Sequence, residues 1–149
     1  GGVGRVVLLS APSALDRELR RFASALGLSA RGAAAFIASV ERHVGRPAAD
    51  FDVRHIAGKV DLPVLLIHDR NDRRVPVAEA ARAAHLLPTA ELMVTHGLGH
   101  NRLLADEAVV TAIVGFVAGS GHDGKGLDSV AVRDPAAEHR VVELHLEVP

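Results

Sequence analysis

Two side chains with complementary acid-base chemistry each follow an apolar run. Asp72, in Asp72-Arg-Arg-Val-Pro76, comes just after Pro63-Val-Leu-Leu-Ile-His68, and His100, in His96-Gly-Leu-Gly-His100, comes just after Glu91-Leu-Met-Val-Thr95. A neutral imidazole can take a proton from a hydroxyl, and a neighbouring carboxylate fixes the imidazole tautomer and stabilises the imidazolium that forms. At the ends of adjacent strands such a pair would be the acid and base of a nucleophilic triad. Gly97 and Gly99 allow a tight bend before His100, so that its ring can point back across the strand ends. The nucleophile is missing from this pattern, because no Gly-x-Ser-x-Gly occurs in the 149 residues. Ser10 and Ser13 follow a strand-like run but lack the glycine-flanked elbow that exposes a strained serine, so neither is assigned that role.

The elements that would position the pair are legible from periodicity. Arg5 to Leu9 is a short β-prone run that stops at Ser10-Ala-Pro12, where proline removes a ladder donor. Leu15, Leu19, Phe22, Ala23 and Leu26 then fall at helical spacing among charged residues, and Gly27 supplies a stop. Ser29 is an N-cap for a second helix that carries Ala33, Phe36, Ile37, Val40 and Val44 up to Gly45 and Pro47. Asp50 or Asp52 opens a short third helix ending near Gly58. Pro63 to His68 is a second strand, Val77 to Leu87 a helix closed by Pro88, Leu92 to Thr95 a third strand, and Asp106 caps a helix that runs to Gly119. Strands alternating with helices in this order predict a parallel sheet with crossover connections. In such a sheet ligands bind outside the carboxyl ends of the strands, which is where Asp72 and His100 fall.

Composition narrows the field. Seventeen basic against eighteen acidic residues leave a formal charge of -1, too little field to hold a phosphate backbone or an anionic bilayer, so neither nucleic acid nor membrane is an expected partner. Without cysteine there is no disulfide framework and no thiolate metal site, which fits a cytoplasmic protein. Hydrophobic residues make up 48% of the chain, enough for a core, yet there are four Phe and no Trp or Tyr. The core must therefore be aliphatic, as buried parallel strands are. His96 and His100 are four apart, a spacing that offers two imidazoles to zinc on a helix, but the intervening glycines argue against a helix, and neither a metal nor a cofactor is expected.

At these residues the chain resembles the α/β-hydrolase family, in its carboxyl-terminal half. Pro63 to Pro76 is similar to the family segment in which a strand, a glycine-containing turn and Asp-x-x-Val-Pro deliver the triad acid, and Gly97-Leu-Gly-His100 is similar to the segment that delivers the base. The family order of nucleophile, acid and histidine is kept by Asp72 and His100. The resemblance implies an α/β fold: an incomplete α/β-hydrolase-like parallel sheet of three core strands over residues 1–118, with cap-like helices at about 13–60. A Gly-rich linker at 119–140 and a tail strand at 141–149 are read from the residues themselves. The tail strand alternates Val142, Leu144, Leu146 and Val148 with polar residues and could cover a sheet edge. Where the family has glycine this chain has Asp69, a lesser rival to Asp72 for the acid role.

The implied function is that of a fragment of a serine hydrolase for a small-molecule ester, thioester or amide. It would hold the triad acid and base, Asp72 and His100, and be inactive until completed by a nucleophile half. The alternative is a non-catalytic partner-binding or structural module whose exposed sheet edge self-associates. Three strands with helices on one face would bury less than a complete sheet, predicting marginal stability.

Overall fold

The computed structural model of the chain describes residues 4–119. In chain order these form strand β1 (Val6–Leu9), helices α1 (Leu15–Ala25), α2 (Ala30–Val44) and α3 (Val53–Ile56), strand β2 (Val64–Asp69), helix α4 (Val77–Leu86), strand β3 (Ala90–Thr95) and helix α5 (Glu107–Ala118). The three strands make one parallel sheet in the order β1-β2-β3, with Leu8 opposite Leu66 and Leu66 opposite Leu92.

Every residue of β2 is buried, because it has a strand on either side and a helical layer above and below. Successive side chains of a strand point to opposite faces. Leu65 and Ile67 therefore join Met93, Leu103 and the α5 residues Val109 and Phe116, while Val64 and Leu66 join Val53 of α3 and Ala83 and Leu87 around α4. Helices on both faces correct the expectation of one covered face. The run Val64 to Ile67 is apolar on both sides, so each side needs its own layer.

The capping signals act as the residues suggest. Ser29 Oγ accepts a hydrogen bond from the Gly32 amide at 3.2 Å, and α2 ends with Gly45 at φ 75°. Asp106 accepts from the Val109 amide at 3.0 Å, and α5 ends with Gly119 at φ 66°. Asp52, the second of the two acids offered for α3, is its cap, accepting from the Arg54 amide at 2.9 Å.

The amphipathic pattern of α1 overstates its burial. Of its residues only Ala23 is buried, and Phe22 is 52% exposed, touching Phe36 of α2 with ring centroids 5.9 Å apart. Leu26, expected on the same face, is also exposed, because α1 rests on α2 and the turn at Ala48–Phe51 rather than on the sheet. No helix among the described residues is long and apolar enough to cross a membrane. Beyond Gly119, the linker and the tail strand at 141–149 lie outside the described residues.

Candidate active site

Parallel pairing of β2 with β3 brings their carboxyl ends side by side, and the site is built from the turns that leave them. Asp72 sits in the turn between β2 and α4, and His100 in the turn after β3. His100 Nδ1 lies 2.8 Å from Asp72 Oδ2. With the carboxylate ionised, the shared proton belongs on Nδ1, which leaves the Nε2 lone pair of a neutral ring free to accept a proton.

Asp72 divides its two oxygens. Oδ1 accepts from the Arg74 and Val75 amides at 2.8 and 3.0 Å, and Oδ2 faces the imidazole. The carboxylate thus serves the approach to α4 and the histidine at once, and the two uses do not compete. Burial pushes the Asp72 carboxyl up, but the His100 hydrogen bond and the two amides outweigh it, holding the group below its ordinary value of 3.8. It is an ionised acceptor at neutral pH.

A second histidine backs the same carboxylate. His68, fully buried near the end of β2, donates from Nε2 to the Val75 carbonyl at 2.8 Å and lies 3.5 Å from Asp72 Oδ2. It ties the strand to the turn that carries Asp72. Its Nδ1 has no hydrogen-bond partner among the described residues. Sequence reading placed His68 at the end of an apolar strand without a task, and the i,i+4 spacing from Asp72 was the signal available.

Asp69 does not face His100. Its Oδ2 accepts from Thr95 Oγ1 at 2.8 Å and from the Leu98 amide at 3.0 Å, and its Oδ1 accepts from the Asn71 amide at 2.9 Å. Burial raises this carboxyl too, and donors from Leu98, Thr95, Gly99 and Asn71 bring it below 3.8. Asp72 meets the ring, and Asp69 meets the turn that carries it. Gly97 and Gly99 adopt φ of 80° and 64°, so His96 and His100 do not share a helical face, and the zinc spacing has no helix to act on.

The two serines are both buried. Ser13 donates from Oγ to Glu79 at 2.5 Å and from its amide to the same carboxylate oxygen at 3.2 Å. Glu79 also receives Arg17 at 3.0 Å, and sequence reading missed it altogether. Ser10 closes β1 with its amide on the Ile67 carbonyl at 2.9 Å and a left-handed φ of 46°, the single positive φ outside glycine among the described residues. Its hydroxyl completes no well-formed hydrogen bond, yet it lies near enough to Asp72 to help hold that carboxyl down.

A parallel sheet covered on both faces, with an acid leaving one strand and a histidine leaving the next, is the carboxyl-terminal part of an α/β-hydrolase fold. Residues 39–129 match the family model described as TAP-like protein, and the chain belongs to that α/β-hydrolase family. Solved structures share the fold. The chain is 21% identical to an esterase, RhEst1, from a Rhodococcus species, with a TM-score of 0.54 over 81% of this chain and 58% of that one. Against an esterase from Pyrococcus furiosus the identity is 23% and the TM-score 0.53, over 78% and 45% of the two chains. Against Rv0554 from Mycobacterium tuberculosis the values are 20% and 0.52, over 78% and 57%. The chain thus spans 45% to 58% of the length of these structures.

Proposed function

We propose that this chain supplies the acid and base of an esterase-like serine hydrolase, with Asp72 orienting His100 and His100 acting as general base and then general acid. The observation that carries the reading is the 2.8 Å contact between His100 Nδ1 and an ionised Asp72 that is itself anchored by two amides. In acyl transfer the free Nε2 would take the proton of an attacking hydroxyl and return it to the leaving alcohol, thiol or amine, while Asp72 stabilises the imidazolium between the two steps. Esterases among the structural neighbours support an ester as substrate, a thioester or amide of a small molecule being reached by the same acyl transfer, and this reading gives α1 to α3 the part of a substrate-covering cap.

The nucleophile in this reading comes from outside the described residues. Ser13 is committed to Glu79, and the Ser10 hydroxyl, near Asp72, makes no hydrogen bond to His100. The test is hydrolysis of a p-nitrophenyl ester by the purified 149-residue chain. No turnover above background is expected. Turnover abolished by Ser10→Ala or Ser13→Ala would overturn the placement of the nucleophile. When the chain is joined to a half carrying a Gly-x-Ser-x-Gly elbow, Asp72→Asn should lower kcat by about 10³- to 10⁴-fold, the order seen when a triad carboxylate is neutralised.

A further inference from the structure

We propose that Asp69 is a positioning residue for His100, a second carboxylate whose task is to hold the backbone turn that presents the imidazole to Asp72. This inference rests on the reading of Asp72 and His100 as acid and base. It departs from the plain expectation that a position at the end of β2, where the family has glycine, needs no side chain.

Packing reaches the turn at Gly97 to Gly99 through Leu98, which lies against the core shared by β2, β3 and α5, and not through its glycines. A Cβ added at Gly97 or at Gly99 would meet nothing within 4 Å, so packing does not constrain the glycines, and both occupy left-handed φ that an unconstrained glycine leaves readily. Its polar groups are instead clamped by side chains on two sides. The Leu98 amide donates to Asp69 Oδ2 at 3.0 Å and the Gly97 amide to Asn71 Oδ1 at 3.1 Å, while Asn71 is itself fixed by its amide on Asp69 Oδ1 at 2.9 Å. On the other side Arg102 donates from Nε to the Leu98 carbonyl at 3.0 Å and from a terminal nitrogen to the Gly97 carbonyl. Arg102 is exposed and Asp69 is fully buried, so the buried partner sets the geometry and the exposed one closes over it.

The chemistry of the position calls for a carboxylate. Asp69 forms no ion pair among the described residues, and a buried charge without a counter-ion is unfavourable unless donors surround it. The groups that reach it, Thr95 Oγ1 and the amides of Leu98, Gly99 and Asn71, are all donors. An asparagine would offer one oxygen and set its amide group against a donor at the other site. The position therefore accepts on both oxygens, and one of those bonds lies two residues from the imidazole.

The test is NMR on the isotopically labelled 149-residue chain, reading the low-field proton of His100 Nδ1 and the hydrogen exchange of the Leu98 amide in wild type, Asp69→Asn and Asp72→Asn. In Asp69→Asn the Leu98 amide should exchange roughly ten- to a hundredfold faster, the loss expected for a hydrogen bond to a charged acceptor, and the His100 proton should weaken or vanish while amides of β2 and β3 keep their protection. A role confined to stability would lower the melting temperature but leave the His100 proton unchanged in folded molecules, and that result overturns the proposal. If Asp69→Asn does not fold, Asp69→Ser keeps one short oxygen that cannot serve both sets of donors; faster Leu98 exchange with an unchanged His100 proton in that variant would equally overturn the role. A wild-type signal lost in Asp72→Asn but untouched by Asp69→Asn removes the role of Asp69 alone. Absence of the signal in wild type removes the acid-base pair itself and the inference with it.

Discussion

Truncating Glu79 should destabilise the fold far more than its place in an alanine-rich helix suggests. The carboxylate is 3% exposed and receives the Ser13 amide at 3.2 Å, the Ser13 hydroxyl at 2.5 Å and Arg17 at 3.0 Å. In Glu79→Ala both Ser13 donors stay buried without an acceptor, each at about 1–3 kcal/mol. The Arg17 side chain is 34% exposed and can turn to water, so its share is small. Because the two losses sit on one residue and will not add fully, the expected cost is about 2–4 kcal/mol. Glu79→Gln can keep both Ser13 donors on its one acceptor oxygen, since they share Oε2 in wild type, and should cost well under half as much. Urea denaturation followed by circular dichroism at pH 7 measures both. Burial raises the Glu79 carboxyl, but Ser13 and Arg17 hold it below its ordinary 4.5. A carboxyl lowered in the folded state contributes stability above its unfolded pKa and loses it as pH falls through the folded one. The gap between wild type and Glu79→Ala should accordingly be full at pH 7 and narrow below pH 4.5. A Glu79→Ala variant within about 0.5 kcal/mol of wild type, the range of an ordinary surface substitution, would refute the reasoning.

Other consequences follow from the same structure. Asp52, Asp69 and Asp72 are all held below 3.8, Asp52 by Arg54 to about 2, so the stability they contribute should be full above pH 3.8 and fall steeply below it; a melting temperature that does not fall as pH drops below 3.8 would contradict these assignments. Ile67 is 1% exposed in the layer between β2 and α5, and Ile67→Ala should cost about 2–4 kcal/mol in urea denaturation, with a loss under 1 kcal/mol counting against the packing described. β1 pairs on one side only among the described residues, and Val110, Val114 and Val117 are exposed on α5. Light scattering after size exclusion should find self-association that Val114→Lys weakens, and a monomer at high concentration would exclude it.

Much of this was legible in the residues. Ser29 with Gly45 and Asp106 with Gly119 bound their helices as caps, and the apolar run ending at His68 gave the central strand. Asp72 and His100 meet because each directly follows one of two paired strands, a relation that short-range pattern can express. What stayed hidden is which donors fold back onto a given buried carboxylate. Asp69 bonds Thr95 and Leu98, 26 and 29 residues away, and Glu79 bonds Ser13 at a separation of 66. No local periodicity encodes such partners. The exposure of Phe22 and Leu26 had the opposite cause: the helical pattern was present, but α1 lies on other helices and not on the sheet. The two covered faces, by contrast, are written in β2 itself, whose run Val64 to Ile67 is apolar on both sides and needs a layer on each.

The most direct test of the account is the Nδ1 proton of His100, observed by nitrogen-edited NMR at neutral pH in wild type and in Asp72→Asn. A proton shared between imidazole and carboxylate over 2.8 Å should resonate well downfield of ordinary ring protons in wild type and lose that position in the variant. A wild-type His100 ring without such a proton, or one indifferent to Asp72→Asn, would contradict the acid-base pair on which the hydrolase reading stands.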